Sequence, residues 1–275
     1  MGAQITGGYN SVTGDLLGAQ TSGGVNSVAG NLDGLQVSGV VNIVTGSARG
    51  GQVSSVNVTT GNLVGAGVGV LNVVASGAPR SPSRGVEIGV TNVDRSELDG
   101  LQVGVVNVSG KQRGVQIGVV NVAEHLDGVP VGLVNVGGNT DTSMLLFSTS
   151  RTPANLGAKF LTGHVFSTIS GGCDRGSFLD GPCQHVLQGA WTFGGHLPLA
   201  ETFALEPSFG YAYEADVERP AESVNGGHVV LYRAALSWQP FAEFGLFAGA
   251  GARQLIDHQG HVMVQGELLG GIQAF

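Results

Sequence analysis

Few residues in this chain have the type and spacing that side-chain chemistry needs. His258-Gln-Gly-His261 brings two imidazoles within three residues, but a metal site takes three or four protein ligands and no third lies in sequence reach. Two solvated loop histidines are expected. Gly65-Ala-Gly-Val-Gly-Val70 has the glycine content of a phosphate loop, yet no Gly-Lys-Ser/Thr and no helical pattern follows it. His164, Ser167 and Glu206 can be written as a hydrolase trio, though nothing in their spacing supports one. Asp94, Glu97, Asp99, Glu124 and Asp127 are scattered and read as turn and solvent-face charges, not as the carboxylate cluster of a solenoid enzyme. A Ca²⁺-binding nonapeptide array needs an Asp in every turn, and none recurs that way. No catalysis, no metal and no cofactor are expected. Cys173 and Cys183 are the only cysteines, in a Gly/Asp-rich stretch. A disulfide is the expectation, with the oxidising compartment it implies and up to about 2–3 kcal/mol from closing so short a loop.

The elements that would hold such residues change character near residue 140. All aromatics except Tyr9 begin at Phe147, and both cysteines also lie in the second half. The turn-forming cluster Gly137-Gly138-Asn139-Thr140 marks the boundary, giving a repeat region over 1–138 and a second domain over 139–275.

The first half is a repeat. Its clearest copies are Gly100-Leu-Gln-Val-Gly-Val-Val-Asn107 and Gly114-Val-Gln-Ile-Gly-Val-Val-Asn121. The anchoring asparagines are Asn10, Asn26, Asn42, Asn57, Asn72, Asn92, Asn107, Asn121 and Asn135, at spacings of 16, 16, 15, 15, 20, 15, 14 and 14. The 20-residue interval contains Ala78-Pro-Arg-Ser-Pro-Ser-Arg84, a polar insertion that reads as a loop. A unit this short and this rich in Val and Ile favours strand over helix. The pattern fits a β-solenoid of about one coil per repeat, with Asn stacked on Asn at a corner, each amide bonding its neighbours above and below. Leu98 and Leu126 return inward. The alternation of Val115, Ile117 and Val119 against Gln116 and Gly118 gives an apolar and a polar-or-small face, Gln102 and Gln116 lying on the latter; the apolar side is expected inside, Val on Val. Nine coils at about 4.8 Å would give a rod roughly 43 Å long. A second reading is an up-and-down meander contributing strands to a porin-sized barrel. Against it, residues 10–146 contain no Trp, Tyr or Phe, where membrane barrels place aromatic girdles. Neighbours of opposite direction would also have no reason to keep one motif order.

Residues 143–275 read as antiparallel strands: Ser143–Ser150, Gly157–Ile169, His185–Leu197, Phe203–Ala215, His228–Trp238, Glu243–Arg253 and His261–Phe275. Short turns at 152–155, 198–202 and 239–242 alternate with longer stretches at 170–184, 216–227 and 254–260, the asymmetry of bacterial outer-membrane barrels. Ala204, Glu206 and Ser208 alternate with Leu205, Phe209 and Tyr211. Phe275 resembles the terminal aromatic of such barrels, although Gln273 stands where another aromatic is usual. Seven strands do not close a bacterial barrel, so an eighth is sought in Val129–Val136; the alternative is an open, soluble β-sandwich.

Composition bounds the rest. Charged residues are 12% of the 275 and glycine supplies 48, with 42% apolar; so apolar a chain is not disordered. A net charge of −8 argues against nucleic acid and against a polybasic membrane anchor. Met1-Gly-Ala-Gln-Ile-Thr reads as the inside of a repeat with no secretory signal, which for an exported protein implies a mature or truncated form.

The unit Gly-[Val/Leu]-Gln-[Ile/Val]-Gly-Val-Val-Asn, seen best at 34–42, 100–107 and 114–121, resembles that of bacterial surface-repeat proteins, over roughly residues 2–136. The resemblance implies export and a cell-surface location, with no catalytic residues to carry over. Gln102–Asn107 and Gln116–Asn121 are also similar to the Gln-x-Gly-x-x-Asn of curli subunits, but the shorter period, the Val pairs and the missing second Gln depart from curli. The expectation is an all-β protein, with a solenoid-like first half and a barrel-like second half, acting at the outer membrane or cell surface as a structural or interaction protein. Its partners would be the outer membrane and a protein or polysaccharide surface, with self-association through solenoid ends. A small pore in which the repeats supply strands is the alternative. Ice binding wants a flat Thr array, and Thr59-Thr60 alone is not one.

Overall fold

Short runs of Val, Ile and Thr, broken every few residues by Gly, Ser and Asp, favour strands and tight corners, and the computed structural model contains only these regular elements over the described residues, 2–75, 82–174, 186–216, 227–257 and 260–275. The chain divides into Met1–Asn139 and Thr140–Phe275, one residue from the boundary read in the sequence.

In the first unit each repeat is one coil of two strands. The first strand carries the Gln position and the second the Asn position, as in Leu16–Ser22 followed by Val25–Val28 and Leu32–Ser38 followed by Val41–Val44. Successive coils pair parallel and in register, Gln20 on Gln36 and Asn26 on Asn42. Later corners straighten, so Thr91–Val103 runs from the Asn strand of the sixth coil into the Gln strand of the seventh through a bulge between Asp94 and Glu97. Residues 76–81 of the proline-containing insertion lie outside the described residues. Glycine is required where the first strand turns: Gly85 has φ +143°, and a Cβ there would stand 1.8 Å from the Gly65 carbonyl oxygen of the coil below. The apolar core consists of Leu16, Leu32, Ala48 and Leu63 on one wall and Val28, Val44 and Val74 on the other. Leu98 and Leu126 are buried as expected.

The second unit is a closed antiparallel barrel of eight strands: Thr140–Thr149, Ala154–Thr162, Val165–Cys173, Val186–Gly195, Phe203–Asp216, Gly227–Phe241, Phe244–Asp257 and Val262–Ala274, called here the first to eighth barrel strands. Each pairs with its sequence neighbour, the first pairs with the eighth, and the fourth pairs with the fifth from Val186↔Asp216 to Gly194↔Ser208. Leu197–Ala200 is a short extra strand against the fifth.

The eighth strand is not the one the sequence pointed to. The expected single strand Gly157–Ile169 is broken at Gly163-His164, where Gly163 takes φ +58° and turns the second barrel strand into the third. A lone glycine in an alternating run does not distinguish a hairpin from a continuing strand. Val129–Val136 remains in the ninth coil, as Val129–Val131 and Val134–Gly137. The breakage also shifts the parity of the connections. Residues 163–164, 196–202 and 242–243 share one rim; the strand ends at Thr149 and Ala154, Cys173 and Val186, Asp216 and Gly227, and Asp257 and Val262 share the other. The turn at 152–155, expected among the short ones, therefore belongs to the rim of the long connections.

Candidate functional site

The solenoid interior is built on amides. Asn10, Asn26, Asn42, Asn57, Asn72, Asn92, Asn107, Asn121 and Asn135 are all buried, and each Nδ2 from Asn10 to Asn121 donates to the Oδ1 of the next, over 2.7–3.0 Å. The second proton of the same nitrogen goes to a main-chain carbonyl at the end of the next coil's first strand, as from Asn26 to Val37 at 2.9 Å and from Asn72 to Ile88 at 3.0 Å. The ladder thus pins the corner of every coil it spans. A parallel ladder runs the other way: Gln20 donates to Gln4, Gln36 to Gln20, Gln52 to Gln36, Gln102 to Glu87 and Gln116 to Gln102, at 2.7–3.0 Å. It is interrupted at Gly67, which stands in register between Gln52 and Glu87, and ends at Pro130, in register with Gln116.

This corrects the expected orientation. Gln102 and Gln116 are fully buried, while Ile117 and Val119 are each 43% exposed. Period-two alternation marks two faces without saying which is inside. In a parallel in-register stack an inward amide finds donor and acceptor partners in its own copies, which offsets the cost of burying it; at the end of the ladder, where Pro130 faces Gln116, the Gln116 Oε1 is buried without a partner.

The sixth coil departs from this pattern. Ser83 takes the Leu position, Asp94 the Val position and Glu87 the Gln position, and all three are buried. Asp94 was read as a solvent-face charge; its Oδ1 accepts from the Ser96 amide at 2.8 Å and from the Ser96 hydroxyl. Burial, reinforced by the nearby Asp94 charge and opposed by the Gln102 hydrogen bond, pushes the Glu87 carboxyl up to about 8. Burial also raises Asp94, against its bonds from Ser96. The other acids of that group do face solvent: Lys111 and His125 reach Asp127 at 2.9 Å, Arg113 pairs with Glu97, and Arg84 lies 3.9 Å from Asp99.

The outward face of the Gln strand carries a row without charge: Ile5, Thr21, Val37, Val53, Val68, Ile88, Val103, Ile117 and Val131, in continuous register. Eight steps of about 4.8 Å make this row about 38 Å long. An apolar strip of that extent on a rigid sheet is a partner surface more often than plain exterior.

The barrel is apolar outside, and its inside combines buried ion pairs with an apolar cluster of Ala212, Val229, Leu231 and Leu255. Lys159 Nζ lies 2.5 Å from Glu206 Oε1, which also meets His196 Nδ1 at 2.8 Å. Arg233 pairs with Glu267 at 2.7 Å, and Arg253 with Glu214 at 2.5 Å, with Gln188 donating to Glu214 at 2.8 Å. These six charged side chains are at most 9% exposed. On the outer wall Leu146, Leu156, Leu236, Leu268 and Ile272 face out, all at least 38% exposed. Aromatics gather at both rims. Phe203 stacks on Trp238 at 6.0 Å, near exposed Phe241 and Phe275, on the short-turn rim, while Tyr211 and Tyr213 pack on His228 at the other. Phe203 and Tyr213 are ten residues apart on one strand. At about 3.3 Å per residue and a tilt near 40° that spacing is about 25 Å along the barrel axis. Lys159, Glu206 and Gln273 border small cavities of about 60 and 80 Å³.

Of the residues with chemical potential, few meet. Glu206 binds Lys159 and His196, a contact across 47 residues that no local pattern announces. Ser167 is buried on the third barrel strand and His164 sits in the turn before it. Gly65-Ala-Gly-Val-Gly-Val70 is a coil strand and its corner. Cys173, at the end of the third barrel strand, is disulfide-bonded. Cys183 and His258 lie outside the described residues. Among the described residues no group of three or more His, Cys, Asp or Glu is placed to hold a metal. Compared with known proteins, the chain matches no family model and no curated protein.

Proposed function

We propose that this is a bacterial outer-membrane protein that acts by structure and binding: the barrel anchors it in the bilayer, and the repeat array offers a stiff, uncharged β surface to a protein or polysaccharide partner. The observation that carries this reading is the barrel's outer wall, where leucines, isoleucine and aromatics form a band whose girdles lie about 25 Å apart, the height of an outer-membrane barrel's apolar belt. Inside, three buried ion pairs share the space with an apolar cluster of Ala212, Val229, Leu231 and Leu255. The likeness of the repeat unit to bacterial surface-repeat proteins points to the same envelope. The strand number weighs against a conducting pore, since eight strands leave an interior that side chains fill.

The test is fractionation of expressing cells followed by gel mobility of the extracted protein with and without boiling. Recovery in the outer membrane with a heat-dependent shift is the expected result. A protein recovered in the soluble fraction, with no shift, overturns the reading.

A further inference from the structure

Resting on that membrane reading, the barrel's connectivity also assigns a side to the repeats. We infer that the whole repeat unit lies on the periplasmic side of the outer membrane, so that its uncharged row meets partners inside the envelope and not in the medium.

The first barrel strand begins at Thr140, bonded directly to Asn139. Thr140 pairs with Thr162 at the last rung before the Gly163-His164 turn, and their hydroxyls lie 2.9 Å apart. Asn139 is therefore tied to the rim that holds the connections 163–164, 196–202 and 242–243. At the opposite rim the third and fifth strands end at Cys173 and Asp216, the fourth and sixth begin at Val186 and Gly227, and the sequence between them is longer; Cys173 there is disulfide-bonded. In outer-membrane barrels short turns face the periplasm and longer loops face outward.

Among the described residues of the repeat unit, nothing returns the chain across the bilayer. Its described strands pair parallel with one another in one continuous stack from Gly2 to Gly137, and none pairs with a barrel strand. A backbone that crosses hydrocarbon must be a helix or part of a closed barrel, and these coils are neither. The side of Asn139 is thus the side of all nine coils. A surface-repeat resemblance alone would put them outside; the strand parity, set by Gly163, puts them inside.

The test uses the full-length chain with single substitutions: Arg49→Cys on the exposed flank of a coil, Glu243→Cys in a short turn and Ser150→Cys on the opposite rim. Cells are treated with a maleimide-polyethylene glycol too large for porins, intact or after outer-membrane permeabilisation, with the unsubstituted protein as background. Each variant is first checked for outer-membrane recovery and the heat-dependent shift, and Asp33→Cys replaces Arg49→Cys should the latter misfold. The expected result is that Ser150→Cys labels on intact cells, while Glu243→Cys and Arg49→Cys label only after permeabilisation. Labelling of Arg49→Cys on intact cells overturns the inference. If Glu243→Cys labels there too and Ser150→Cys does not, the barrel is inverted and the inference fails while the membrane reading stands. Absence of the unsubstituted protein from the outer membrane overturns the membrane reading itself.

Discussion

At the scale of the residue, the solenoid depends on groups that are polar and buried together. Asn72 donates to Asn92 and to the Ile88 carbonyl and accepts from Asn57. Asn72→Ala leaves the Asn92 Oδ1 and one Asn57 Nδ2 proton unpaired inside the stack, while the Ile88 carbonyl keeps the Gly69 amide at 2.9 Å. At about 1–3 kcal/mol for a buried group without its partner, the repeat unit should lose about 2 kcal/mol or more, read as a lower urea midpoint for its unfolding in the full-length chain. An unchanged midpoint would mean that the ladder adds nothing. Glu87 gives a pH-dependent counterpart. Its folded pKa near 8 lies above the ordinary 4.5, so between those values the folded chain holds a proton that the unfolded chain has released. Its contribution therefore falls as pH rises from about 4.5 to about 8, by at most about 1.4 kcal/mol per pH unit, and is flat outside that window. Glu87→Gln keeps the acceptor for Gln102 and removes the titration. Urea midpoints between pH 5 and 9 should flatten in this variant; a slope identical to the parent's would place the dependence elsewhere.

At the scale of the element, each strand is specified by what its two faces meet. Leu268 is 68% exposed near the middle of the eighth barrel strand, where the proposed surroundings are hydrocarbon. Leu268→Arg should cost about 2–4 kcal/mol of barrel stability in lipid, seen as loss of the folded, fast-migrating gel species at a lower temperature. On a water-facing wall the same change is close to neutral. The inner face follows the opposite rule. Lys159→Met leaves Glu206 buried with only His196 beside it, and breaking a buried pair costs about 3–5 kcal/mol. Lys159→Met combined with Glu206→Leu should recover much of that loss, because no charge is then left alone. A double variant as unstable as the single one would show that packing, and not charge, holds the lumen. The sixth coil is the comparable point in the solenoid, where Ser83 and Asp94 interrupt the apolar core that runs from Leu16 to Val74.

At the scale of the whole molecule, each unit buries hydrogen-bonded polar groups beside an apolar cluster, Leu16 to Val74 in the solenoid and Ala212, Val229, Leu231 and Leu255 in the barrel, and each leaves aliphatic side chains outside. Lys159–Glu206, Arg233–Glu267 and Arg253–Glu214 cross the barrel interior. Planar bilayers containing the purified protein should show no stable unitary conductance steps; reproducible steps would require these pairs to open.

Much of this was legible in the residues. Asparagine spacing, with strand-forming content and one motif order kept throughout, pointed to nine stacked coils over the meander that was the other reading, and in-register stacking is what brings one Asn onto the next. The shift in aromatics indicated two halves and the turn cluster Gly137-Gly138-Asn139-Thr140 located the boundary, while Val/Ile content with glycine punctuation determined an all-β chain. Three features were decided only by the tertiary structure. Which face of a coil is inside depends on whether buried amides find partners, and those partners lie 14–20 residues away in the next coil. Whether Gly163 turns or extends depends on strands that pair on either side of it. Closure rests on the fourth strand reaching the fifth around the Leu197–Ala200 excursion, and on Lys159 meeting Glu206 across the lumen. Each is a contact between distant segments, and a period of two residues is the same on both sides of a strand.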